Sequence, residues 1–232
     1  MTRTSTLHLL AALTIAVFTR AAAAQSIDAL LDAEQWSAAI VQLDRVIARA
    51  PTAPALAQRG RAYRELGDYP RARADYDAAL ARDSTVGGIW LGRAATRLRA
   101  SDARGAAGDV ARARALGFDD PTVDLLDGMV HGELGDDPTA MAAFDRFVAR
   151  VPAAPTGWYL RGLTHGRAAR HDRAIADLTK AITLGMPGPD AYRLRATSHL
   201  ALGDRSAACA DGAVAAERGD ADAARLVERH CR

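Results

Sequence analysis

Histidine and cysteine are the residues here whose types and spacing could do chemistry, and both are sparse and regularly placed. His131, His165 and His199 recur at equal intervals. Such a row invites a metal site. If stacked helices carry it, however, neighbouring helices lie about 8–10 Å apart whereas zinc–nitrogen bonds are about 2 Å. One ion cannot join two rungs at that spacing, so the three are read as packing residues, and neither a metal nor a cofactor is expected. Cys209 and Cys231 are the only cysteines. No CxxC accompanies them, which argues against a redox or catalytic thiol, and an even count in an exported chain suggests a disulfide.

Other catalytic constellations are missing. The chain has no glycine loop ending in Lys-Ser/Thr, no HExxH, no GxSxG and no SxxK. His131-Gly132-Glu133 matches half of a deaminase signature, but the PCxxC that must follow is absent. Acidic residues are spread along the chain rather than gathered. No catalytic residues are assigned, and the expectation is that the protein is not an enzyme.

The amino terminus has the three-part layout of a secretory signal peptide. Arg3 is basic, Leu7 to Phe18 is an apolar run broken only by His8 and Thr14, and Ala21 to Ala24 precede Gln25. Residues 1–24 are therefore read as a signal peptide. The run is short for a bilayer span, and the alternative is an uncleaved anchor, the only route to membrane contact. Removing Arg3 and Arg20 from the 30 basic residues leaves 28, equal to the 28 acidic ones. A neutral mature chain gives no reason to expect nucleic-acid binding.

Elements that position these residues follow from an internal repeat. Gly128 and Gly162 are 34 apart, Trp90 and Trp158 two such steps apart, and Ala140, Ala174 and Ala208 form a series. Copies start at 53, 87, 121, 155 and 189. The first places Gly60, Tyr63, Gly67, Tyr69, Ala72, Tyr76 and Ala79; the third Gly128, Gly135, Ala140, Phe144 and Pro152; the fourth Trp158, Gly162, Ala174, Leu178 and Ala181. This resembles the tetratricopeptide repeat (TPR), W-x2-L-G-x2-Y then A-x3-F-x2-A then P. The resemblance implies an all-α, right-handed solenoid of helix-turn-helix units over 53-86, 87-120, 121-154, 155-188 and 189-220. A partial unit over 25-52, with Trp36, Ala39, Leu43 and Val46, precedes them, and 221-232 follows as a capping helix. A lone helix pair cannot bury its apolar face, so stacking must build the core.

The repeats also share a charge pattern. Position seven is Arg59, Arg93, Arg161 and Arg195 in four copies, and position twenty-three is Asp75, Asp109, Asp177 and Asp211 in the same four. The remaining copy has Asp127 and Ala143 there. Each Arg is expected to meet an Asp between facing helices, within its copy or across to a neighbour, as a structural pair. Cys209 and Cys231 sit about 15 and 18 Å from the turn near Gly219 at about 1.5 Å per residue, which brings two antiparallel helices' sulfurs level.

In TPR proteins the first helix of each unit lines a concave face. Carried over, this implies a groove with Arg61 and Arg64 near one end, Arg193 near the other, and Leu91, Leu125, Met129, Tyr159 and Leu163 as an apolar floor, unless adjacent units curl and bury it. The carboxylate clamp of chaperone-tail-binding members uses Asn and Lys; this chain has no Asn and only Lys180. The resemblance implies a protein-interaction scaffold, periplasmic or secreted, that holds a protein or peptide, with no small-molecule substrate. The alternative is an accessory or regulatory subunit of an envelope enzyme.

Overall fold

The computed structural model describes residues 26–231, so the expected signal peptide at 1–24 lies outside the described residues. Thirteen helices and no strand are present among them. They fall into two compact units, divided after Arg82.

The first unit holds α1 (Ile27–Asp32), α2 (Trp36–Arg49), α3 (Ala53–Glu65) and α4 (Tyr69–Arg82). Ser26 caps α1, its hydroxyl accepting from Ala29 N at 3.1 Å. Leu30, Leu31, Ala39 and Leu43 close on Ala55 and Ala62, with Trp36 and Ile40 at the edge. From the start of α2 at Trp36 to the start of α4 at Tyr69 the step is one short of the later repeat. Ala39 and Leu43 thus stand where Ala72 and Tyr76 stand, and Val46 matches Ala79. The match is loose at that last place: Val46 stays 39% exposed whereas Ala79 is fully buried.

The second unit holds α5 (Gly87–Arg99), α6 (Ala103–Ala115), α7 (Pro121–Glu133), α8 (Asp137–Arg150), α9 (Pro155–Arg167), α10 (His171–Thr183), α11 (Asp190–Ala201), α12 (Arg205–Glu217) and α13 (Ala221–His230). Helices pack consecutively, and the first helices α5, α7, α9 and α11 also touch one another in turn.

Small residues set the separations. Ala106, Ala140, Ala174 and Ala208 are fully buried at one repeat position. A Cβ on Gly128 would lie 2.4 Å from the Phe144 ring, and one on Gly162 would lie 3.0 Å from Leu178. Where a copy departs from the pattern, a neighbour compensates. Phe147 replaces the alanine seen at Ala113 and Ala181, and Gly157 of the next helix leaves it room, since a Cβ there would be 2.4 Å from the ring. Gly135 and Gly203 end first helices in the left-handed region, with φ of 75° and 82°, where a side chain is disfavoured. No described helix is long and apolar enough to cross a membrane.

Candidate protein-binding surface

Position eight of each first helix faces the second helix, as the contacts of Gly128 with Phe144 and Gly162 with Leu178 require. Positions five and nine lie about 60° and 100° round from it on the same side, on the flank beside the face that meets the second helix. In the second unit this flank carries Leu91 on α5, Leu125 and Met129 on α7, and Tyr159 and Leu163 on α9. All five are partly exposed. Leu91 rests on the core of Ala94, Val110, Val123 and Leu126, and Tyr159 rests on Leu178 and Ala191. Burial pushes the Tyr159 hydroxyl above its ordinary pKa, and Asp190 pushes it further. The row is an apolar surface half sunk into the unit.

Arg193, on α11, is not a free cation. Its Nε donates to Asp220 at 2.8 Å and its Nη2 to Asp190 at 3.0 Å. In the first unit, Arg61 is exposed and stacks over the Trp36 ring at 5.6 Å. Arg64 Nη2 donates to Glu65 at 2.7 Å. Of the three arginines expected to give the groove basic ends, two are neutralised by carboxylates.

The Arg–Asp pairs lie within their own copies and are bidentate. Arg59 Nε and Nη2 donate to Asp75 at 2.8 and 2.7 Å. Arg93 does the same to Asp109, Arg161 to Asp177 and Arg195 to Asp211, at 2.6–2.9 Å. The Asp177 carboxylate raises Arg161 above its ordinary pKa against the opposing pull of burial. The third nitrogen reaches the preceding copy: Arg59 to Asp44 at 2.7 Å, Arg161 to Asp145 at 2.8 Å and Arg195 to the Thr179 hydroxyl at 2.9 Å. An aromatic ring at position four completes the cage, with Trp90 under Arg93 and Trp158 under Arg161, both at 4.8 Å. Fork geometry and cation–π stacking both favour arginine over lysine here.

Sequence reasoning missed how the exceptional copy is held. Asp127 is joined by Asp124, which is buried. Arg146 Nε donates to Asp124 at 2.8 Å, Arg150 Nη1 to Asp124 at 3.1 Å, and Arg114 Nη2 to Asp127 at 2.9 Å. Burial works to raise Asp124, but the bonds from Arg146 and Arg150 and the charge of Arg114 outweigh it and hold the carboxyl low. The charges are inverted, with acid on the first helix and base on the second. Asp124 at position four was the signal, since Trp90, Trp158 and Tyr192 occupy that place elsewhere.

The three histidines are not equivalent. His131 lies 3.2 Å from Asp136, and His199 3.7 Å from Asp204. His165 is 6% exposed, and desolvation lowers its pKa. Cys209 and Cys231 are bonded, with Cα atoms 5.6 Å apart, tying α12 to the end of α13.

Tetratricopeptide repeat family profiles match residues 53–85 and 125–189. No curated protein matches the chain significantly. Solved structures of the same fold do. A TPR protein from Parabacteroides merdae is 17% identical, with a TM-score of 0.65, 89% of this chain and 82% of that one being covered. PilF of Pseudomonas aeruginosa is 15% identical, with a TM-score of 0.76 and coverage of 88% and 94%. YrrB, a TPR protein with an unusual peptide-binding site, is 16% identical, with a TM-score of 0.66 and coverage of 81% and 97%. At these identities the likeness carries the fold and no more. With helix pairs at the repeat's spacing, small residues at its close contacts and the profile matches on both units, the chain is a tetratricopeptide repeat protein, an all-α solenoid of the kind that binds proteins or peptides.

Proposed function

We propose that this protein is an interaction scaffold of the cell envelope or exterior that holds an extended or helical peptide of its partner along α5, α7 and α9. The observation that carries the reading is the row Leu91, Leu125, Met129, Tyr159 and Leu163, large apolar side chains that keep part of their surface exposed on successive first helices. An apolar row of i, i+4 pairs repeated on parallel helices suits apolar anchors spaced along a peptide. YrrB, of the same fold, has a peptide-binding site. The Cys209–Cys231 bridge suits an oxidising compartment, which agrees with reading residues 1–24 as an export signal.

The test is affinity capture of the tagged protein from envelope extract, run beside the double variant Met129→Glu, Tyr159→Glu, with circular dichroism to show that both are folded. A protein retained by the parent and lost at least tenfold by the variant supports the row. Equal retention by both removes it as the binding surface.

A further inference from the structure

Second helices of the repeats open on an aspartate in four cases out of five. Asp68, Asp102, Asp136 and Asp204 accept from the backbone N–H three residues on, that of Arg71, Gly105, Thr139 and Ala207, at 2.9–3.2 Å. Each supplies its helix with an internal anion. Helix α10 opens instead on Arg170, whose side chain makes no capping bond. A guanidinium stands where the other copies hold a carboxylate. Asp172 lies in the first turn of α10 but does not line the cavity beside it.

That cavity, of about 380 Å³, opens between α8, α9 and α10. Asp145 and Asp177 line it too, and Arg161, another wall, is already committed to both, so these three charges are largely spent on one another. Arg170 and Arg173 are two further walls, both exposed, and neither is bonded to a carboxylate among the described residues. At the back is His165. Its Nδ1 is buried and has no hydrogen-bond partner, while its Nε2 lies 3.8 Å from Asp177. A buried polar nitrogen left unpaired is costly and calls for a ligand atom or a water. Met141 and Ala176 give the cavity an apolar side.

We propose that this cavity takes an acidic side chain of a bound peptide, whose carboxylate caps α10 from outside. Arg170 and Arg173 hold the oxyanion, the His165 Nδ1–H donates to it, and Met141 and Ala176 cover the methylenes of the acidic residue. The volume argues for a side chain with its stem rather than a lone phosphate. The surface is separate from the apolar row: besides α8, α10 and the inner turn it uses Arg161 and His165 of α9, which lie about 200° round that helix from Leu163. It rests on the scaffold reading only in that its occupant is a peptide.

The experiment titrates hexaglutamate, and separately inorganic phosphate, into the ¹⁵N-histidine-labelled protein. It follows the imidazole resonances and the melting temperature. Hexaglutamate is expected to move the His165 Nδ1 signal and raise the melting point. Arg170→Asp restores the repeat's own cap. It should lose at least tenfold in peptide affinity while melting about 2–4 °C above the parent, a gain that an unfolded variant cannot give. Met129→Glu, Tyr159→Glu should bind hexaglutamate like the parent, so that failure of the row and failure of the cavity read separately. Equal binding by Arg170→Asp, an unmoved His165 signal, or binding of phosphate in place of the peptide would overturn the proposal.

Discussion

Arg161 leaves water to lie between Trp158, Asp177 and Asp145, and its charge is matched on each side. Removing it strands a buried carboxylate. Arg161→Leu is expected to cost about 3 kcal/mol, a fall of roughly 6–12 °C in melting temperature. Arg161→Leu with Asp177→Leu should recover most of that loss, and a double variant no more stable than the single one would show that the pair is not the cause. His165 gives a pH signature. Its folded pKa lies below the unfolded value of 6.5, so the unfolded chain binds the extra proton. Stability is then full above about pH 6.5 and falls as pH drops through that value toward the folded pKa. His165→Gln should flatten melting temperature against pH between 7 and 5 while leaving the acid loss below about pH 4, which belongs to carboxylates held low in the fold, Asp124, Asp68 and Asp136. The slot-seven and slot-twenty-three pattern was legible because charge switched at both places in the same copy. The inverted cluster around Asp124 was not, because its arginines come from three separate positions. Nor was the pairing of Arg193 with Asp220, which depends on how the last two helices meet.

Helix-pair separation is set by what has no side chain. Gly128 and Gly108 make the contrast. A Cβ at Gly128 would be 2.4 Å from Phe144, which is 2% exposed, whereas one at Gly108, inside α6, meets nothing within 4 Å. Gly128→Ala should destabilise by about 1–3 kcal/mol through overpacking, and Gly108→Ala should stabilise by roughly 0.5–1 kcal/mol through helix propensity. Urea denaturation of both variants checks the two signs together. Helix starts at Ala53, Gly87, Pro121 and Pro155 are readable as a period because each turn is closed by the same backbone economy. The first pair steps one short of that period, a deletion that leaves no mark in composition. At the other end, α13 buries only Ala223 fully and leans on the bridge to α12. Cys209→Ser with Cys231→Ser should cost about 2–4 kcal/mol, with amide exchange rising first in α13. Unchanged protection there would mean that packing alone holds the helix.

For the molecule as a whole, stability is local and recognition is additive. Each pair meets only its neighbours, so an array of this kind is approximately a sum of pair and interface contributions. A side chain turned away from a pair's own contacts can then serve a partner. With 28 basic and 28 acidic residues after position 24, net charge steers nothing, and selectivity must come from the local surface. The row on α5, α7 and α9 is the central claim. Its residues could be named from the repeat's register, but whether neighbours would cover them depends on how steeply successive first helices lean together, which a period does not encode. Hydrogen exchange on the complex of this protein with its captured partner tests the row most directly. Slowed exchange concentrated in α5, α7 and α9 is the result expected; protection confined to the second helices α6, α8 and α10 would contradict it.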